Sequence, residues 1–199
     1  LDLGGTPIQL ADYATTGLLA VAVGPRGSGK TNCALVAAEQ LSLQGWVVVL
    51  TDPEGELETL YGDAVKDAGE LARLLETRER SIVVVAAAEA EAFVPYGQAI
   101  LEAADRYRKP LLVVIDETQL FSAVKKRKGA VGAASDILND FAERGRKRAL
   151  DLFVTAHRFT GTLNRSIFAN KNLLLVGTQE DPTAWSALAP QFRAARIDF

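Results

Sequence analysis

Six short apolar runs punctuate the chain: Leu18–Val23, Trp46–Thr51, Ile82–Ala87, Leu111–Ile115, Leu150–Thr155 and Leu173–Gly177. Each is continuously Val/Leu/Ile/Ala-rich rather than alternating, which is the pattern of strands buried on both faces. Longer amphipathic stretches separate them and predict helices over Lys30–Gln44, Ala68–Arg78, Tyr96–Tyr107, Ala134–Arg148 and Pro182–Leu188. Short buried strands alternating with helices predict an α/β fold, with a mainly parallel sheet covered by helices on both faces. The chain has 199 residues, no internal repeat and no long linker, so a single domain spanning 1–199 is expected.

The junction between the first run and the first helix carries the strongest chemical signal. Gly24-Pro25-Arg26-Gly27-Ser28-Gly29-Lys30-Thr31 fits G-x-x-x-x-G-K-[ST] and sits where that pattern has physical meaning, between a strand and a helix. Glycines let the backbone close around phosphate oxygens, and the freed N–H groups at a helix start attract the anion. Gly24, Pro25, Arg26, Gly27, Ser28, Gly29, Lys30, Thr31 and Asn32 are therefore the candidate nucleotide-binding residues. Lys30 is expected to reach the β- and γ-phosphates, and the Thr31 hydroxyl to ligate Mg²⁺. ATP and Mg²⁺ are the implied cofactors.

The fourth apolar run ends in Asp116-Glu117. Asp116 is placed to hold the metal as a Walker-B aspartate does, with Thr31 as the other metal residue. Adjacent strand residues face opposite sides unless the chain turns, so Glu117 reaches the same site only if the strand stops there. A second carboxylate beside the metal favours activation of water, hence hydrolysis, over the water-excluding chemistry of a small-molecule kinase.

Composition narrows the setting. The net charge is −3, which gives no overall attraction for nucleic acid, so such contacts require a local patch. Residues 125–148 supply one, with eight cations against three acids. Lys125, Lys126, Arg127 and Lys128 form its densest part, read as a loop running into Gly129–Gly132. No aromatics interleave that run, so backbone tracking along duplex DNA is expected rather than base stacking. The lone cysteine, Cys33, forms no disulfide within one chain, and its apolar helical neighbours assign it to packing. No apolar run approaches the ~20 residues of a membrane span, so no transmembrane segment is expected. With Leu1 first and no methionine present, the natural start is expected to precede this numbering.

Together these residues resemble the HerA/FtsK superfamily of P-loop DNA-pumping ATPases. The resemblance covers most of the chain. It includes the phosphate loop, the Asp116-Glu117 pair, and Asp52-Pro53-Glu54-Gly55-Glu56, which is similar to the family's D-P-x-G-E. It is most specific in Glu143-Arg144-Gly145-Arg146-Lys147 leading to Leu152-Phe153-Val154-Thr155-Ala156-His157-Arg158, which resembles the family's E-G-R-K helix end and the strand after it. The resemblance implies a RecA-like (ASCE) P-loop NTPase working as a homo-oligomeric ring, usually a hexamer, with nucleotide between neighbours. It implies an arginine near the γ-phosphate, best matched by Arg146. His157 stands where the family usually has a γ-phosphate-sensing glutamine, on a strand between the cradle strand and the Asp116 strand. Glu117, Lys30, Arg146 and His157 are thus the candidate catalytic set.

The reading of the whole is an ATP-hydrolysing translocase of double-stranded DNA. A chain with almost nothing beyond the motor resembles the genome-packaging ATPases of tailless, membrane-containing viruses, which implies a capsid or membrane-vertex partner and a location in host cytoplasm or virion. The alternatives are DNA-end processing, conjugative transfer, and a non-motor or secretion-associated ATPase.

Overall fold

The computed structural model of the chain describes residues 1–5, 7–123, 128–159, 161, 163–179 and 181–197. Among these, six strands form one sheet in the order β3-β2-β4-β5-β1-β6. They are β1 (Leu19–Val23), β2 (Val47–Asp52), β3 (Ile82–Ala86), β4 (Leu111–Ile115), β5 (Leu150–Ala156) and β6 (Leu173–Val176). Every neighbouring pair is parallel. All strand ends that follow the chain direction therefore emerge on one edge. The position of β5 between β1 and β4 is the one implied by the resemblance.

Residues on successive strand positions face opposite layers. Leu19, Val21 and Val23 enter one apolar cluster, while Leu18, Ala20 and Ala22 enter the other. The first layer is the larger and takes α3 (Ala68–Thr77), α4 (Ala90–Tyr107), α5 (Ala130–Arg144), α6 (Arg165–Asn170) and α7 (Pro182–Ala194). The second is covered by α1 (Lys30–Leu43), through Ala34, Ala37, Ala38 and Leu41, and by Leu57 ahead of the short α2 (Glu58–Tyr61). Small alanines on α1 bring that helix close to the sheet and leave little room for anything between them. Cys33 is half-buried and packs against this second layer, as expected.

Helix boundaries depart from the sequence pattern in three places. Helix α4 begins at Ala90, six residues before the expected Tyr96, because Pro95 is accommodated inside the helix instead of marking its start. Helix α5 begins at Ala130, so Ala130–Gly132 are helical rather than loop. It gives way at Gly145 to a 3₁₀ turn, Gly145–Arg148. A Cβ on Gly145 would lie 2.6 Å from the Leu150 carbonyl oxygen, so only glycine lets the turn close onto β5. Helix α7 runs to Ala194 with Pro190 inside it.

The start of β1 is held by two side chains. Asp151 accepts from the Leu18 N–H at 2.9 Å, and Asn172 accepts from the Leu19 N–H at 2.9 Å. Asp151 is buried, and desolvation pushes its carboxyl up to about 6, partly offset by the Leu18 hydrogen bond. The folded chain therefore holds this proton more tightly than the unfolded chain. Stability from Asp151 is fully present below the unfolded pKa near 3.8 and falls as pH rises through about 6. Asp151→Asn is expected to flatten that decline and to stabilise the protein at pH 8 by about 1–3 kcal/mol, read by urea denaturation at about pH 4 and about pH 8.

Candidate functional site

The cleft opens where the sequence placed the cradle. Strand β1 ends at Val23, and the loop 24–29 folds over before α1 begins at Lys30. Gly27 and Gly29 adopt φ of 78° and 82°, left-handed values that side chains disfavour. At Gly24 the restriction is steric, since a Cβ there would collide with the Ser28 side chain. Gly177, just past β6, presses on the same serine, and its Cβ would lie 2.8 Å from Ser28 Cβ. The loop is thus pinned from two sides. The Ser28 hydroxyl is buried without a hydrogen-bond partner, and Lys30 is buried with no ion pair among the described residues. An orphaned hydroxyl and an unpaired ammonium at a helix start suit an anionic ligand.

The cleft measures about 340 Å³ and is lined by Arg26, Gly27, Lys30, Thr31, Asp52, Glu54, Glu56, Leu57, Asp116, Glu117 and His157. That volume is within the usual range of small-molecule sites. Pro25, Gly29 and Asn32 are exposed around the loop and the first turn of α1.

Strand β4 delivers the carboxylates. Asp116 follows Ile115 directly, and its oxygens accept from Thr31 Oγ1 at 3.1 and 3.3 Å. Glu117 takes φ 50° and ψ 46°, a left-handed turn at the strand end. That turn brings Asp116 and Glu117 to line one cleft, meeting the condition set by strand geometry. Thr155 of β5 ties the pair together: its hydroxyl donates to Asp116 Oδ1 and accepts from the Glu117 N–H at 3.0 Å. Thr51 of β2 accepts from the Asp116 N–H at 3.1 Å. Threonines from the two strands flanking β4 therefore fix the acidic turn. Sequence reading passed over both, because the pairing exists only once strand order and register are known.

His157 continues β5, and its Nε2 lies 2.8 Å from Glu117 Oε1, with Gln119 Nε2 donating to Glu117 Oε2 at 2.8 Å. Asp52 has a structural task. Its buried carboxylate accepts from the N–H groups of Gly55, Glu56 and Leu57 at 2.9, 3.1 and 2.8 Å, holding the turn that leaves Glu54 and Glu56 on the cleft rim. Asp52-Pro53-Glu54-Gly55 thus forms a turn with the aspartate as its anchor.

Among the described residues no group of three or more His, Cys, Asp or Glu is arranged to hold a metal. Thr31 and Asp116 fit Mg²⁺ of the kind that takes one or two protein ligands and completes its shell with water and phosphate.

Arg146 stands apart. It lies in the 3₁₀ turn before β5, exposed, with its backbone beside Gly17 at the start of β1. The length of β5 separates it from its own cleft, roughly 20 Å at ~3.3 Å per residue. The same chain does not bring Arg146 to its own phosphate loop, so any such contact must come from another copy. Its neighbours are engaged: Arg144 pairs with Asp140 at 3.4 Å across one helical turn, and Arg148 with Asp105 at 2.5 Å. Lys125, Lys126 and Arg127 lie outside the described residues. Lys128 is exposed directly ahead of α5. No described helix is long and apolar enough to cross a membrane.

A parallel sheet in this order, with a glycine-rich loop entering α1 and an acidic turn two strands away, is the RecA-like P-loop NTPase fold. No protein family matches the sequence, and no curated protein matches it. Solved structures do match. The genome packaging NTPase B204 from Sulfolobus turreted icosahedral virus 2, in complex with ATP-gammaS, shares 16% identity at a TM-score of 0.68, over 90% of this chain and 84% of that one. VirB4 of Thermoanaerobacter pseudethanolicus follows at 13% and 0.57, over 90% and 81%. The pCW3 conjugation coupling protein TcpA, with ATPgS, gives 14% and 0.56, over 88% and 52%. At such identities the likeness establishes the fold alone.

Proposed function

We propose that the chain is an ATP-hydrolysing translocase of double-stranded DNA, acting as a homo-oligomeric ring in the packaging of a viral genome. The observation that carries the hydrolytic part is the Thr31–Asp116 contact at the mouth of the cradle, with Glu117 facing the same cleft. Lys30 and the loop N–H groups would bind and orient the triphosphate. Thr31 and Asp116 would hold Mg²⁺, which supplies neutralisation of phosphate charge when bound. Glu117 would accept a proton from the attacking water. Arg146, exposed at the far end of the sheet, is free to meet a neighbour's cleft in a ring, where its charge would stabilise the transferring phosphoryl group. His157 acts on the water through its contact with Glu117 and stands in for the sensor glutamine.

The packaging task is supported by the fold's likeness to the packaging NTPase across most of both chains. DNA engagement is assigned to Lys125, Lys126, Arg127 and Lys128, which would grip phosphates without reading bases, as a motor requires. Conjugative DNA transfer is the second reading, favoured by the match to TcpA.

The test is ATP turnover with and without duplex DNA as salt is raised. DNA is expected to stimulate turnover several-fold at about 50 mM salt and to lose most of that effect by about 200 mM, because grip depends on counterion release. Neutralising Lys125–Lys128 should abolish the stimulation while leaving DNA-free turnover intact. Turnover indifferent to DNA at every salt concentration would refute the motor.

A further inference from the structure

Glu117 carries more restraint than its turn accounts for. Its backbone sits in the left-handed region at φ 50°, unusual for a residue with a side chain, and its N–H is held by Thr155. Each carboxylate oxygen then has its own close nitrogen: His157 Nε2 lies 2.8 Å from Oε1, and Gln119 Nε2 donates to Oε2 at 2.8 Å. Gln119 belongs to the 3₁₀ turn Thr118–Leu120 that follows directly, so its side chain reaches back over two residues.

The other end of the Gln119 amide is the informative one. Its Oε1 is buried and has no hydrogen-bond partner. An unpaired buried carbonyl is unfavourable and requires a reason. Turning the amide over would set that oxygen against the Glu117 carboxylate, which is worse. The orientation is therefore dictated by Glu117, and Gln119 leaves its own acceptor unsatisfied to maintain it.

We infer that Gln119 is a positioning residue for Glu117, fixing the carboxylate in one geometry within the cleft, with His157 on the opposite oxygen. A free glutamate side chain samples many rotamers, and small misplacement of a catalytic group is costly in rate. A donor on one oxygen and the imidazole against the other remove that freedom before any nucleotide arrives. The kinetic consequence rests on Glu117 serving as the base proposed above; the geometric claim stands without it.

The experiment uses Gln119→Leu, which removes the donor and the orphaned carbonyl while keeping most of the bulk, alone and combined with Glu117→Gln. His157 is the only histidine in the chain, so its imidazole resonances report on Glu117 without ambiguity. In Gln119→Leu the His157 Nε2 resonance is expected to shift, because its acceptor has moved. The kcat for ATP is expected to fall about tenfold, with KM and AMPPCP binding held within about twofold. In the Glu117→Gln background, Gln119→Leu is expected to add no further loss.

An unmoved His157 resonance overturns the proposal whatever the turnover. So does a joint fall of kcat, nucleotide affinity and thermal midpoint, which a merely structural role would give, or an equal loss in the Glu117→Gln background. If the unaltered protein hydrolyses no ATP, the hydrolytic reading fails by itself, and the resonance still decides whether Gln119 holds Glu117.

Discussion

Glu117→Gln is expected to bind ATP and barely turn it over. The change is nearly isosteric, leaves the Thr155 hydroxyl bonded to the residue 117 N–H, and touches neither the loop nor Asp116. It removes the capacity to take a proton and exchanges one carboxylate oxygen for an NH2, which costs one of the contacts with Gln119 and His157. General-base contributions are about 10²–10⁴-fold, so kcat is expected to drop by that range while nucleotide affinity changes little. Single-turnover hydrolysis beside equilibrium binding of AMPPCP reads both quantities. Turnover within about threefold of the unaltered protein would remove Glu117 from the chemistry and return the acidic pair to being a strand end.

Thr155→Val is expected to damage fold and site together. Valine has nearly the same shape as threonine, so packing in β5 is preserved and the loss is purely of the hydroxyl. That hydroxyl serves two partners at once, donating to Asp116 and accepting from the Glu117 N–H. Its removal leaves a partly buried N–H and a partly buried carboxylate each short of a bond. The expected loss is about 2–3 kcal/mol, which for a chain of this size lowers Tm by roughly 4–12 °C. The Mg²⁺ concentration needed for half-maximal turnover should rise as well, because Asp116 loses a fixed donor beside its Thr31 contact. Thr155→Ser, which retains the hydroxyl, should recover most of both effects. If valine matched threonine in Tm and Mg²⁺ dependence, the bridge would be incidental.

How much of this was legible beforehand divides along physical lines. Strands announced themselves because parallel strands buried on both faces need unbroken apolar runs, and β4 was read to the residue. The phosphate loop was legible because its glycines, lysine and threonine are consecutive, so local sequence contains the whole geometry. The start of α4 was missed because Pro95 lacks an N–H and resembles a helix opening, whereas the structure carries the helix through it. Helix α6, with six residues, offers too few turns for a period to emerge. Thr51, Thr155 and Gln119 were illegible as site residues for a different reason. The first two reach Asp116 and Glu117 from separate strands, and nothing in a one-dimensional string says that residues 51, 116 and 155 meet at one turn. Gln119 was closer to hand, two positions from Glu117, but only the three-dimensional turn reveals its reach.

The insertion of β5 between β1 and β4 also orders events in time. Leu19 pairs with Leu152, and Val113 with that same Leu152, so the strand bearing the cradle and the strand bearing the acids have no common neighbour until about three-quarters of the chain exists. During vectorial synthesis, β2, β3 and β4 can associate early, whereas the two halves of the pocket stay apart until the fifth strand emerges and wedges them into register. A nascent chain halted before Leu150 would therefore carry an intact phosphate loop with no partner for it, and nucleotide would first be retained only after that strand has docked.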